Sequence, residues 1–247
     1  MRPHRNRTMT APSIQMDPIG TIRSCFTDKF GVPRQPGLIK EARGTIELCP
    51  PFDREEAVRE LSAFSHIWVI FQFHKSQKED WKPTVRPPRL GGNKKVGVFA
   101  TRSNFRPNPV GLSVVKLESV ETDGGKVRIH ISGMDLLDGT PVIDIKPYIP
   151  YVDAIEGASG GFAPEQPQAP LGVSFSDEVA LFLDRLSKTD YPNARALIEN
   201  VVAQDPRPAY YSKEKRQKPF GFCLWDLNIR CQGDDAHVTV MEVSRVR

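Results

Sequence analysis

The sequence predicts a mainly β protein: a seven-stranded β-barrel followed by a smaller α+β domain. Three observations carry this. Seven short segments between Ile19 and Ile145 have the length and two-residue period of strands. A stretch rich in chain breakers follows, Gly157-Ala-Ser-Gly-Gly161 and then Pro164, Pro167 and Pro170. Beyond it the apolar spacing becomes helical. The implied organisation is a disordered basic tail over 1–16, the barrel over 17–153, a linker over 154–171 and the α+β domain over 172–247.

The strands expected in order are Ile19–Ser24, Gly44–Leu48, His66–Phe73, Val96–Ala100, Val110–Glu121, Val127–Ser132 and Pro141–Ile145. Asp123-Gly124-Gly125 is a hairpin turn, because glycine takes positive φ without strain. One helix is expected to interrupt the strands, capped by Asp53 with Glu56 three residues on, and with Ala57, Val58 and Leu61 as its apolar stripe. Past the linker, Ser176 caps a helix with Asp177 and Glu178 in its first turn, where the helix dipole favours negative charge. Asn193–Gln204 places Ala194, Leu197, Ile198, Val201 and Val202 on one helical face. Phe220–Cys231 reads as one alternating strand with Cys223, Trp225, Leu227, Ile229 and Cys231 on one side, and His237–Val246 as its partner.

Composition sets limits on function. At 247 residues, 39% hydrophobic and 26% charged, the chain is ordinary for a globular protein with a real core. No apolar run reaches membrane-spanning length, and the N-terminus MRPHRNRTMTAPS lacks the apolar stretch of a signal peptide, so no membrane partner and a cytoplasmic location are expected. Cys25, Cys49, Cys223 and Cys231 form no C-x-x-C pair, which argues for reduced thiols and against a metal. No G-x-G-x-x-G after a strand, G-x-x-x-x-G-K-[ST] or H-E-x-x-H occurs, so dinucleotide, P-loop and zinc-hydrolase chemistry lose support.

Charge is distributed unevenly. The net charge is only +4, yet from Lys82 to Leu117 there is no Asp or Glu while Lys82, Arg86, Arg89, Lys94, Lys95, Arg102, Arg106 and Lys116 are present. Surfaces normally mix signs. Such a stretch reads as a polyanion site, the other reading being neutralisation by acids elsewhere in the fold. A second basic cluster, Lys213, Lys215, Arg216 and Lys218, follows Tyr210 and suits either an RNA backbone or a solvated loop.

Three loops are candidates for chemistry. Lys29–Gly37 displays Arg34 and Gln35 between Pro33 and Pro36, an amide for a base edge and a charge for phosphate or carboxylate. Thr101–Gly111 holds Asn108 between Pro107 and Pro109, with Arg102 and Arg106 nearby; stiffening leaves little freedom to lose on binding. Gly133–Pro141 carries a tight turn at Asp138-Gly139, and its Met134, Leu136 and Leu137 suit either a sandwich for a purine ring or a plain hydrophobic cluster. Asp144, Lys146 and Tyr148 alternate, so one strand face would carry a carboxylate, an ammonium and a phenol, as a catalytic surface or a structural ion pair.

Five motifs in one order, Phe30–Pro36, Phe64-Ser-His66-Ile-Trp68 through His74, Arg86–Asn93, Gly97–Gly111 and Asp138–Tyr148, resemble the TsaA-like family over about Ile19 to Val152. Asp205-Pro-Arg207-Pro-Ala-Tyr210 resembles the C-terminal domain of its proteobacterial members. The resemblance implies a seven-stranded barrel acting as a homodimer, with S-adenosylmethionine held by barrel loops. It implies cofactor contacts at Pro33, Arg34, Gln35, His74, Lys75, Arg102, Leu112 and the turn Asp135, Leu136, Leu137, Asp138 and Gly139. The implied reaction is N6-methylation of N6-threonylcarbamoyladenosine beside the anticodon of threonine tRNA.

In that reaction the hard step is activating a urea nitrogen whose lone pair is delocalised, so a base is wanted. Asp144 and Tyr148 are the expected bases, with Lys146 stabilising charge. Arg106 and Asn108 are expected on the threonine carboxylate. Arg86, Arg89, Lys94, Arg207, Tyr210 and Lys213 are expected on RNA. The rival readings are a non-catalytic RNA-binding module and an S-adenosylmethionine enzyme acting on another substrate.

Overall fold

In a computed structural model, residues 14–75, 81–166, 171–208 and 211–246 are described. Most of the expected tail, and with it Tyr210 and the side chain of Lys213, lie outside the described residues.

Strands β1 (Gly20–Ser24), β2 (Arg43–Leu48) and β3 (His66–Gln72) are followed by two-residue strands β4 (Thr84–Val85) and β5 (Val96–Gly97). Then come β6 (Val110–Asp123), β7 (Lys126–Ser132) and β8 (Pro141–Pro147). Six of these close a barrel in the order β1-β2-β7-β6-β3-β8, every neighbouring pair antiparallel. Alternation explains the walls: Ile67, Val69 and Phe71 of β3, and Val115 and Leu117 of β6, point into the core while their neighbours face out. The β6–β7 turn has Gly124 at φ 56° and Gly125 at φ 76°, the paired positive values of a tight hairpin.

The seventh expected barrel strand is corrected. Val96–Ala100 gives only the two residues of β5, paired with β4 outside the barrel, before a 3-10 turn over Val98–Ala100. Val98 alone of that run is buried, and β3 pairs directly with β8 across the gap. The helix expected after Asp53 is corrected too. Two 3-10 turns, Glu55–Val58 and Leu61–Ala63, flank Glu60, whose φ of 65° is left-handed and cannot continue a helix.

A four-residue turn of helix, α1 (Pro150–Asp153), ends the barrel; Trp68 Nε1 donates to Asp153 Oδ2 at 3.0 Å. The second unit contains β9 (Gly172–Phe175), α2 (Asp177–Leu186), α3 (Ala194–Ala203), the short α4 (Lys213–Arg216), β10 (Phe220–Leu224), β11 (Leu227–Gly233) and β12 (His237–Arg245). Its sheet runs β10-β11-β12-β9, with β9 parallel to β12. Ser176 caps α2 by accepting from the Val179 N–H at 3.4 Å. Phe220–Cys231 is two strands rather than one, because Trp225 turns the chain at φ 51°. The turn shifts the alternation: Phe222 and Leu224 before it and Leu227, Ile229 and Cys231 after it are buried, while Cys223 and Trp225 are only half-buried.

The barrel and the second sheet meet through the β1–β2 connection. Phe26 bridges to Leu224, the Trp225 N–H donates to the Cys25 carbonyl at 2.8 Å, and Asn193 Nδ2 donates to the Glu41 carbonyl at 2.7 Å. Buried side chains of both units form one continuous apolar cluster.

Candidate functional site at one rim of the barrel

Antiparallel pairing sends the ends of β1, β3 and β7 and the starts of β2, β6 and β8 to the same rim. All three candidate loops therefore leave the barrel on one side: the connection over 25–42, the excursion over 73–109 and the turn over 133–140. They are tied to one another. The Gly37 N–H donates to the Gly133 carbonyl at 2.7 Å, and both glycines are at positive φ, 78° and 68°. Arg102 Nη1 donates to Gln35 Oε1 at 2.7 Å, joining the excursion to the first loop.

Asp135 stands at the centre of one cluster. Its Oδ1 accepts from Ser113 Oγ at 2.6 Å. Burial pushes its pKa up to about 6, against the opposing pull of the Ser113 hydrogen bond and the Arg102 charge. Ser113 occupies an inward position of β6, and a serine in the buried phase of an alternating strand was the available sequence signal for it.

Asp138, Gly139 and His74 form a neighbouring cluster. Asp138 Oδ1 accepts from the Ser24 N–H at 3.0 Å, and the Gly139 N–H donates to the Ile22 carbonyl at 2.9 Å. His74 Nδ1 lies 3.4 Å from Thr140 Oγ1. Burial, helped by the Lys75 charge, lowers the His74 pKa below the ordinary histidine value. Lys75 Nζ donates to the Thr27 carbonyl at 3.4 Å. Ser24 and Thr140, like Ser113, hold the site and were not singled out by sequence.

Other expected site residues lie elsewhere. Met134 and Leu136 are fully buried, Met134 packed against Gly44, so they form the hydrophobic cluster rather than a ring sandwich; Leu137 is partly buried. Leu112 is 51% exposed on the outer wall, on the opposite face of β6 from Ser113. Pro33 and Arg34 face the second unit, where Arg34 Nη2 donates to the Asp205 carbonyl at 3.4 Å.

Asp144 and Lys146 share the outer face of β8, and Tyr148 follows the strand's last residue. Lys146 Nζ is 2.9 Å from Asp144 Oδ2, an ion pair within the strand. Asp144 aligns with Ile70 and Leu112 across the wall, whereas Tyr148 stands at the far rim beside Trp68, ring centroids 5.9 Å apart. The structure does not bring this trio into the rim clusters.

Among the residues expected on substrate, Arg106 turns back on its own loop, donating to the Thr101 carbonyl at 2.7 Å and lying 5.8 Å from the Phe99 ring centre. Arg89 reaches the Glu165 carbonyl; Asn108 and Lys94 are exposed. Arg207 is 2% exposed and occupied by Asp205 at 2.7 Å, the Arg216 carbonyl at 2.5 Å and the Asp234 carbonyl at 2.8 Å, so no face of its guanidinium is left for RNA. In the acid-free stretch, only Lys116 has an ion pair among the described residues, 2.9 Å from Glu118. No group of three or more His, Cys, Asp or Glu gathers as a metal site among the described residues.

The donor set of the rim fits S-adenosylmethionine. A sulfonium calls for carboxylate oxygens, as at Asp135 and Asp138; an amino-acid carboxylate calls for a cation, as at Arg102; a purine edge calls for an amide, as at Gln35.

Comparison with known proteins gives the family. Residues 21–154 match the tRNA-methyltransferase O N-terminal domain and residues 168–246 the TrmO C-terminal domain. The chain is 49% identical over 224 residues to the tRNA (adenine(37)-N6)-methyltransferase of Escherichia coli K12, covering 91% of this chain and 95% of that protein. It is 39% identical over 209 residues to the human protein of the same name, covering 82% of this chain and 44% of that one. A crystal structure of TrmO from Pseudomonas aeruginosa superposes with a TM-score of 0.75 at 40% identity, over 94% of this chain and 99% of that one. With both of its domain models matched, the chain belongs to the tRNA-methyltransferase O family.

Proposed function

We propose that the chain transfers a methyl group from S-adenosylmethionine to N6 of the adenosine at position 37 of tRNA. The finer reading is that the acceptor is N6-threonylcarbamoyladenosine of threonine tRNA, modified in the cytoplasm by a homodimer. The observation that carries the proposal is the joining of the Gln35, Arg102 and Asp135 loops at one barrel rim.

Bound S-adenosylmethionine supplies a methyl carbon already made electrophilic by its sulfonium. The protein's tasks are to orient that donor, exclude water and accept a proton. Gln35 and Arg102 brace each other, so their polar groups are held before a ligand arrives. Methylating N6 replaces its N–H bond with an N–C bond and releases one proton. Asp135 fits as the acceptor: it sits at the rim, Ser113 fixes its orientation, and its pKa of about 6 leaves it ionised yet basic at neutral pH. His74, whose pKa burial lowers, supports the same turn in a setting that disfavours a positive charge beside a sulfonium. Asp144 and Tyr148 remain the alternative acceptors, reaching a rim only if a second copy brings its outer wall there. That wall and its margin expose Leu112, Tyr151 at 87% and Ile155 at 74%, apolar surface that a second copy would cover.

Incubating the protein with S-adenosylmethionine and isolated tRNA, then analysing nucleosides by mass spectrometry, is expected to show one methyl added to threonylcarbamoyladenosine. Methyl transfer confined to rRNA or small molecules would refute the substrate. Salt-sensitive tRNA binding with no heat of cofactor binding would make the chain an RNA-binding module. Asp144→Asn separates the candidate bases: unchanged turnover removes Asp144 from the chemistry.

A further inference from the structure

A cavity of about 730 Å³ lies between the 29–34 segment of the barrel, the 86–93 segment and the end of α3. It is not the rim site. Arg34 reaches into it toward Asp205, while Gln35, the next residue, turns the other way to Arg102. Four cations line it; Arg207 is paired with Asp205, whereas Lys29, Arg34 and Arg86 have no ion pair among the described residues. Its one carboxylate, Asp205, is neutralised by Arg207 at 2.7 Å and by Arg216. The cavity therefore presents uncompensated positive charge. Phe30 stands in its lining, 45% exposed, with Lys29 Nζ 5.4 Å from the ring centre.

An exposed aromatic face beside unpaired cations is the combination that holds single-stranded nucleic acid, the ring stacking a base and the cations meeting phosphates. The volume falls within the ~300–1,000 Å³ of small-molecule sites, enough for a nucleotide. In sequence Arg86 belongs to the same acid-free run of cations as Arg102 at the rim, which suits an anion that is a chain rather than a lone phosphate. We propose that this cleft binds an unpaired nucleotide of the RNA next to the one being methylated, its base on Phe30 and its phosphates on Lys29, Arg34 and Arg86. Consecutive nucleotides would then straddle the 33–35 loop, one on each side. This rests on the reading of the rim as a tRNA methyltransferase site.

The test uses the full chain and a labelled anticodon stem-loop RNA, with affinity from fluorescence anisotropy at several salt concentrations, KM and kcat for tRNA, and S-adenosylmethionine affinity by calorimetry. Phe30→Ala is expected to weaken RNA binding about tenfold and raise KM for tRNA, with Phe30→Tyr restoring both. Arg86→Ala is expected to reduce the slope of log affinity against log salt by about 1. Cofactor affinity is expected to stay at the wild-type value in all three. Wild-type RNA affinity and salt slope in Phe30→Ala and Arg86→Ala would overturn the proposal. So would a parallel loss of S-adenosylmethionine affinity, which would give the cleft to the cofactor, or displacement of the RNA by adenosine monophosphate as tight as the RNA itself. Wild-type protein that binds the stem-loop through Phe30 but methylates no tRNA would refute the enzymatic reading and leave the cleft standing.

Discussion

Asp135 carries two opposed demands. Its carboxyl is removed from water, which raises its pKa from 3.8 to about 6, yet in the proposed role of proton acceptor it must be ionised at neutral pH. Because the folded pKa exceeds the unfolded one, the folded state binds the extra proton. The carboxyl therefore carries no penalty below about pH 4, accumulates one as pH rises toward 6, and bears it fully above. A shift of this size corresponds to about 3 kcal/mol. Asp135→Asn keeps an oxygen for the Ser113 hydroxyl and removes the charge. Thermal unfolding of the variant should show a gain over wild type at pH 8 that vanishes near pH 4, accompanied by a large loss of methyl transfer. Equal melting curves at both pH values would mean that Asp135 is not desolvated. The Gln35–Arg102 pair makes a separate claim: Arg102→Ala should lower S-adenosylmethionine affinity by ~10- to 100-fold, the range for a hydrogen bond to a charged group, as read by calorimetry. Unchanged affinity would remove Arg102 from the cofactor site.

At the level of elements, Gly111 shows how the wall positions the site. It lies inward on β6 opposite Phe71, and a Cβ there would overlap the Phe71 ring, which is itself packed edge-on against Phe73 at 5.1 Å. Gly111→Ala should destabilise by about 1–3 kcal/mol through overpacking. Adding Phe71→Leu should recover most of that loss; additive losses in the double variant would show that the two do not touch. The same alternation made β3, β6 and β7 legible in the sequence, since Ile67, Val69 and Phe71 mark one face without help from the rest of the fold. Where a contact or a single dihedral decided the outcome, the pattern was silent. Val96–Ala100 is apolar enough for a strand, but β3 had a better partner in β8. Glu60 and Trp225 take left-handed φ against their ordinary preference, dividing an expected helix and an expected strand. The site followed the same logic. Prolines and glycines announced the three loops, and topology brought them to one rim. Alternation put Asp144, Lys146 and Tyr148 on a common face, but it cannot tell which end of a barrel a residue occupies. Arg106 and Arg207 looked like free cations because nothing local reveals the carbonyls that hold them.

For the molecule as a whole, the polar, breaker-rich segment after Tyr151 suggests two units that fold apart, yet their contacts argue otherwise. Phe26 belongs to the barrel's first connection and is fully buried, bridged to Leu224 of the second sheet. Glu41 accepts from Asn193 at 2.7 Å and from Asn200 at 3.1 Å, tying the same connection to the start and middle of α3. That connection also carries Gln35 and Arg34, so whatever loosens the second unit loosens one wall of the rim site. Unfolding should then be one cooperative transition, with the calorimetric enthalpy equal to the van't Hoff enthalpy. Phe26→Ala, a loss of about 3–5 kcal/mol for a buried aromatic, should lower hydrogen-exchange protection of the β7 amides and the β11 amides together. If β11 alone became labile while β7 kept its protection, the two units would be independent and the shared connection only a tether. Coupled loss would instead mean that the stability of the C-terminal sheet holds Gln35 and Arg34 in place, one facing the cofactor loops and the other the cleft.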